Sequence, residues 1–392
     1  MKKILVFNAG SSSIKFSLYE AGGGERLLYL GELSSIGSGE GMFSVRDGGG
    51  RSLVGKRTEV KDHAAAFRHV FSWITSHALV QPDIIGHRMV HGGPLHTAPA
   101  LLTPELIHDI HRLVPYAPEH IPPSLRGVEL AAERFPGVAQ AVCFDTAFHR
   151  SMPEVARVYA LPSEVRRKGV QRYGFHGLSY QYILGELVRI KEPSAERGRI
   201  ILAHLGHGAS MAALRDGKSV DTTMGFSPAG GLVMSTRTGD IDPGVLLFLI
   251  DEMGMSPGEV KEMVNRRSGL LGVSGSSDDM RDLLAAEFSD PAARLAVELF
   301  CYQAAKQVGA LAAVLGGLDL LVFTGGIGEH SPDIRRRICS GLGFLGIALD
   351  EGCNGRNEAV ISGCSASVRV MVMKTDEELM LARESLKLIE SI

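Results

Sequence analysis

RIILAHLGHGASMAALRDGKSVDTT, residues 199–223, reads as three short strands in succession. Arg199 to His204 is an apolar run closed by Gly206-His207-Gly208, Ala209 to Leu214 is a second run, and Ser219 to Thr223 a third. Asp216-Gly217, between the last two, is a hairpin signal, because a tight turn of the hairpin type needs positive φ at both central residues. The same grammar occurs once before, in KILVFNAGSSSIKFSLYEAGGGERLLYLGEL, residues 3–33. There Lys3 to Phe7 leads into Asn8-Ala9-Gly10-Ser11-Ser12-Ser13, Ile14 to Tyr19 into Gly22-Gly23-Gly24, and Leu27 to Leu33 follows. Recurrence of a three-strand unit after about 195 residues reads as an internal duplication. Two unrelated meanders are the competing reading.

Each half also holds single apolar strands that run into polar residues. Asp83 to Met89 leads to Val90-His91-Gly92-Gly93, Gln140 to Phe144 to Asp145, and Leu318 to Phe323 to Thr324-Gly325-Gly326-Ile327-Gly328-Glu329. Helical patterns fill the intervals, at Ala64 to His77, Pro123 to Arg134, Ala292 to Leu315 and Ser331 to Gly341, with a final helix at Asp376 to Ile392. Ser331-Pro332 suits a helix start, Ser as cap and Pro in the first turn. Strands alternating with helices give an α/β sheet with ligands at the carboxyl ends of the strands. Two such halves are expected to leave a cleft for a ligand.

At 392 residues the chain is long enough for two or three domains of roughly 150 residues. With 45% hydrophobic and 22% charged residues it is an ordinary globular composition, and the net charge of −3 argues against a polybasic nucleic-acid or membrane binder. The five cysteines show no Cys-x-x-Cys pair, which fits a reducing compartment. Met1-Lys2-Lys3 is followed by only a short apolar run, Ile4 to Phe7, too short for a signal-peptide core. The cytoplasm is the expected location.

The turns carry the chemistry. Small residues in Asn8 to Ser13 let backbone approach a phosphate, and Lys15 adds a point charge. His204-Leu205-Gly206-His207-Gly208 occupies the matching turn of the second half, and the pair would grip a polyphosphate. Arg88 and Arg237 sit in Gly-rich, non-helical surroundings where a guanidinium fork suits carboxylate or phosphate oxygens. Asp145 could hold Mg²⁺ or act as a base, and Glu377 is a second magnesium candidate. His176 is flanked by glycines that expose it as a hydrogen-bond donor. The histidines from His87 to His120 have spacings that match no common zinc pattern. Gly341 to Gly346 matches G-x-G-x-x-G but follows a helix rather than a strand, so a dinucleotide site fails its context.

Asn8 to Phe16, His87 to Gly93, Ala141 to His149, Tyr173 to Gly177, His204 to Ser210, Met234 to Pro243, Phe323 to Ser331 and Thr375 to Leu379 resemble the acetate kinase family, in order and over nearly the whole chain. The resemblance implies two duplicated actin-like, ribonuclease H-like α/β domains around a nucleotide cleft. Their expected limits are residues 1–147, completed by the helix 376–392, and residues 148–375. It also implies a homodimer, with ATP or ADP as co-substrate and Mg²⁺ or Mn²⁺ as metal. Carried over by position, Asn8 and Glu377 would place the metal. Lys15, His204, Leu205, Gly206, His207, Gly208, Asp279, Met280, Arg281, Gly326, Ile327, Gly328, Glu329 and His330 would line the nucleotide. Arg88 would hold the acid carboxylate, Asp145 would be the essential carboxylate, and His176 and Arg237 would stabilise the transition state. Val90, Phe175 and Pro228 would enclose the acid's short alkyl end. This chain departs from the family at His207 and His330, where Asn is usual, at Ser227 to Gly231, and at Glu119, where a pocket Leu is typical. Donor preference and the preferred acid stay open here, as do a sugar kinase and a non-catalytic nucleotide-binding protein of the same fold.

Overall fold

The computed structural model describes every residue except Ser11, Ser38, residues 78–80 and Ile392. Ser11 of the first turn and the last residue of the expected final helix thus lie outside the described residues. The chain forms two compact units, Met1–Phe148 with Asp376–Ile392, and His149–Thr375.

The first unit is built on β1 (Lys2–Ala9), β2 (Ile14–Ala21), β3 (Glu25–Ser34), β4 (Gly41–Asp47), β5 (Ser52–Thr58), β6 (Ile84–Met89), β7 (Ala100–Leu101) and β8 (Ala139–Phe144). Their order in the sheet is β5-β4-β3-β2-β1-β6-β8-β7. β1 and β2 pair antiparallel with Asn8 opposite Lys15, while β6 lies parallel to β1 and β8 parallel to β6. Successive side chains on a strand point to opposite faces. Leu5, Phe7 and Ala9 of β1 accordingly join Phe16, Phe43, Phe67, Phe71 and Trp73 in a core shared with the helix His63–His77. Phe7 and Phe71 meet edge to face at 5.3 Å. Val6 faces the other way: a Cβ on Gly86 would lie 3.2 Å from Val6 and 2.3 Å from Ser385 Oγ, so the C-terminal helix Glu377–Glu390 packs close to β6 on that opposite face.

The second unit contains β9 (Arg199–Leu205), β10 (Ala209–Arg215), β11 (Lys218–Thr222), β12 (Leu320–Thr324) and β13 (Arg369–Val372), ordered β11-β10-β9-β12-β13. β9, β10 and β11 pair antiparallel, and β9, β12 and β13 parallel. This repeats β3-β2-β1-β6-β8 strand for strand and sense for sense, so the duplication expected from the strand triplets holds in the topology. β12 is buried along its whole length, as a parallel strand covered on both faces should be. Asp216 and Gly217 take φ of 52° and 70°, the left-handed pair the hairpin turn requires.

Gly325–His330, a glycine-rich stretch between a strand and a capped helix in the sequence, is itself a short helix. The helix after it, Pro332–Cys339, starts as expected, with Ser331 Oγ accepting from the Ile334 amide. No helix among the described residues is long and apolar enough to cross a membrane.

Candidate functional site

In the first unit, strand ends bring Asn8, Lys15, Arg88 and Asp145 to the start of the C-terminal helix. Asp145 follows β8 and its side chain is 1% exposed. Arg88 forks onto it, Nε donating to Oδ1 at 3.0 Å and Nη2 to Oδ2 at 2.6 Å, and Nη1 donates to Asn8 Oδ1 at 2.9 Å. Asn8 passes the contact on: its Nδ2 donates to Glu377 Oε2 and to Glu378 Oε1, each at 3.1 Å. Burial works against the Arg88 charge, but Asp145 and then Glu377 outweigh it and hold the guanidinium firmly protonated. Glu378 shows the opposite strain. Burial, then the like charge of Glu377, raises its pKa, and Lys15 only partly relieves it.

In the second unit, His176 caps the helix Gly177–Arg189 from the left-handed region, at φ 59°. Its Nδ1 lies 2.8 Å from Ser210 Oγ, which also bonds the Tyr180 hydroxyl, and its ring stacks on His204 at 4.2 Å. A Cβ on Gly208 would sit 3.2 Å from His176 Nε2 and 3.3 Å from Arg237 Nη2. The glycine therefore leaves open a spot that His176 and Arg237 both approach. Arg237 Nη1 donates to the Pro228 carbonyl at 2.8 Å.

Two residues away at Gly206 begins a cavity of about 740 Å³, within the range of small-ligand sites. Gly206, His207, Asp279, Met280, Arg281, Gly326, Ile327 and His330 line it, all expected from the sequence. Asp279 pairs with Arg281 at 2.5 Å and accepts the Arg281 amide at 2.8 Å, capping the helix Met280–Ala286. His207 Nδ1 stands 3.8 Å from Asp278.

Other expected residues lie elsewhere. Lys15 belongs to the first unit, beside Glu378. Leu205 is 0% exposed, main chain included, and belongs to the core. His204 lies against His176, and Gly208 marks the meeting of His176 with Arg237. Glu329 acts from behind the wall: its Oε1 accepts the amides of Gly325 at 2.9 Å and Thr375 at 3.1 Å, which frames the short helix. Behind Gly328 and Glu329, Arg335 is 0% exposed and donates to both of their carbonyls and to Asn354 and Asn357. Burial pulls its pKa down to about 10. Val90 is buried in the first unit, and Phe175 and Pro228 in the second. Glu119 is half-buried just before the helix Ile121–Arg134.

The sequence reading missed Ser235, Asp278, Leu284, Ser331, Pro332 and Asp333 in the cavity wall, and Glu378 beside Asn8. Asp278 and Glu378 each adjoin a residue already singled out, and that adjacency was the available signal. Among the histidines from His87 to His120, His87 bonds Gln140 at 2.7 Å, His91 accepts from the Gly93 amide, and His96 lies 3.3 Å from Asp109.

The sequence signature of the acetokinase family spans residues 3–383. The acetate kinase of Rhodopseudomonas palustris strain TIE-1 is 45% identical over 393 residues, covering 99% of this chain and 98% of its own. The crystal structure of Porphyromonas gingivalis acetate kinase matches with a TM-score of 0.88 at 38% identity, over 99% of this chain and 100% of that one. A propionate kinase from Francisella tularensis matches with a TM-score of 0.92 at 36% identity, over 99% and 100%.

Proposed function

The chain belongs to the acetokinase family, and from that premise we propose that it transfers the γ-phosphoryl group of ATP to acetate, reversibly, giving acetyl phosphate and ADP. The fold is the duplicated actin-like one of its relatives. A carboxylic acid has a pKa near that of Asp or Glu, roughly 4, so the nucleophile is ionised at neutral pH and needs no base. The difficulty is to bring two anions together, and fixed positive charge is the remedy.

Arg88 fits the role of acid holder. Three of its five N–H groups go to Asp145 and Asn8, which lock its orientation, and two remain for a carboxylate. Asp145 accepts from Arg88 through both oxygens, so it orients the guanidinium rather than abstracting a proton. Gly206 to His207, Asp279 to Arg281 and the helix from Gly325 seat the nucleotide, and His176 and Arg237 meet the transferring phosphoryl. The observation that carries this reading is their approach over Gly208, next to the cavity.

A divalent cation also fits the first unit. Glu377 and Glu378 bring two carboxylates together on the Asn8 amide, and burial, then the like charge of Glu377, raises the Glu378 pKa. Mg²⁺ typically takes one or two carboxylates and completes its shell with phosphate and water. Bound there, Mg²⁺ or Mn²⁺ would offset phosphate charge.

The working form is proposed to be a homodimer in the cytoplasm. The helix Pro243–Asp251 supports the dimer: Leu247 is 60% and Phe248 55% exposed, with Val245 and Ile250 beside them. Apolar side chains exposed to this degree suit burial against a second copy of the chain.

Purified protein with ATP, Mg²⁺ and a panel of short acids, trapping acyl phosphate as hydroxamate, tests the function. Acetate is expected to give the highest kcat/KM. Faster reaction with propionate would move the assignment to that acid, and no hydroxamate with any acid would overturn it.

A further inference from the structure

We propose that His149, inside the second unit, is a positioning residue that fixes the orientation of His176; the inference rests on the acid-kinase reading of His176 above. His149 is 1% exposed, so it does not meet substrate itself. Its Nε2 lies 3.0 Å from the Phe175 carbonyl, and its Nδ1 lies 2.9 Å from Ser219 Oγ. A carbonyl can only accept, so Nε2 carries the hydrogen, and Nδ1 takes a hydrogen bond from the serine hydroxyl. Both partners are thus used by the neutral ring. Burial, which pushes its pKa down to about 4, keeps it neutral at physiological pH. A Ser–His nucleophile is excluded for this pair, because Ser219 and His149 are each 1% exposed and out of reach of a substrate.

The held carbonyl lies at the point that matters for His176. Gly174 has φ +74° and His176 φ +59°, so Phe175 is bracketed by two left-handed residues. For a residue with a Cβ that conformation costs roughly 1–2 kcal/mol and must be imposed by its surroundings. The peptide joining Phe175 to His176 carries the carbonyl held by His149, so turning that peptide would turn φ of His176. The ring also fills the space beside Gly174: a Cβ there would lie 2.5 Å from His149 Cδ2 and 2.6 Å from Thr222 Cγ2. The far side of His149 meets Tyr180 edge to face at 5.8 Å, and Tyr180 in turn bonds Ser210, the partner of His176 Nδ1. His149 therefore supports His176 from the main chain and, through Tyr180, from the side chain.

The test places His149→Leu and His149→Gln in the unaltered and His176→Ala backgrounds. Gln keeps an N–H at the reach of Nε2 and Leu does not. His149→Leu is expected to lower kcat by roughly 10- to 100-fold, the usual cost of a misplaced catalytic group, with little change in KM for ATP or acetate. In the His176→Ala background the same change should cost under about 2-fold, as coupled residues require. His149→Gln should recover most of the loss. An equal loss in both backgrounds, or none in either, would overturn the proposal. If His149→Leu does not fold, Ser219→Ala, which removes the hydrogen bond to Nδ1 and loosens the ring, should give a smaller kcat loss that again vanishes without His176. NMR of histidine-labelled protein gives a readout independent of turnover, with protonated Nε2 on His149 expected and protonated Nδ1 contradicting it. Failure of the unaltered protein to form acetyl phosphate would sink the functional reading alone and leave the tautomer to decide this one.

Discussion

Arg88 is anchored by three hydrogen bonds to Asp145 and Asn8. From the sequence alone, Arg88→Ala is expected to remove activity and spare the fold. The fork changes that expectation, because the substitution strands a carboxylate that is 1% exposed. Loss of one partner of a buried pair costs about 3–5 kcal/mol. Arg88→Ala should therefore lower turnover by roughly 10²- to 10³-fold, as loss of a preorganised charge does, and also lower the melting temperature. Arg237→Ala should lower turnover comparably. Hydroxamate assays and thermal melts check both, and near-normal turnover in either variant would contradict the charge roles. Residue type and setting made Arg88, Asp145, His176 and Arg237 legible in the sequence. Their partners were not, since Asn8 to Glu377 and Glu378, or His149 to Phe175, are joined by folding rather than by spacing.

At the scale of elements, the loop that carries Arg237 passes close to Gly269. Gly269 has φ +63°, and a Cβ there would lie 2.1 Å from the Met234 carbonyl oxygen and 2.7 Å from that of Arg237. Both obstacles are backbone, so the loop must move to admit even a methyl group. Gly269→Ala should cost roughly 1–3 kcal/mol of stability and on the order of 10²-fold in kcat by shifting Arg237. Steady-state kinetics and a melt measure this, and an unchanged kcat would show that Arg237 is placed by other contacts. The strand triplets were readable because apolar runs and glycine turns alternate along them. β4 and β5 were not, since β5 is an edge strand with exposed Lys56 and Arg57 and only half-buried Val54 on its core side. The helix Gly325–His330 escaped for a related reason. Its glycines speak against a helix, and what frames it is the Glu329 carboxylate on the Gly325 amide.

For the whole molecule, one strand grammar used twice carries two different sets of side chains. The first unit gathers Arg88 and Asp145 at its strand ends and the paired glutamates at the start of its last helix, the setting proposed for an acid and a cation. The second gathers His176, Arg237 and a cavity of about 740 Å³, the setting proposed for a nucleotide and its terminal phosphoryl. The repeat itself was visible in the sequence, but the division of labour was only partly so, because matching turns carry different side chains. The central claim is that an already ionised carboxylate attacks phosphorus directly, under fixed positive charge and without a phosphorylated enzyme. Its most direct test is the stereochemistry at phosphorus, using ATP made chiral at the γ-phosphoryl group and acetate as acceptor. A single in-line displacement predicts inversion of configuration in the acetyl phosphate formed. Net retention would mean two successive displacements through an enzyme-bound phosphoryl group, and would contradict the account.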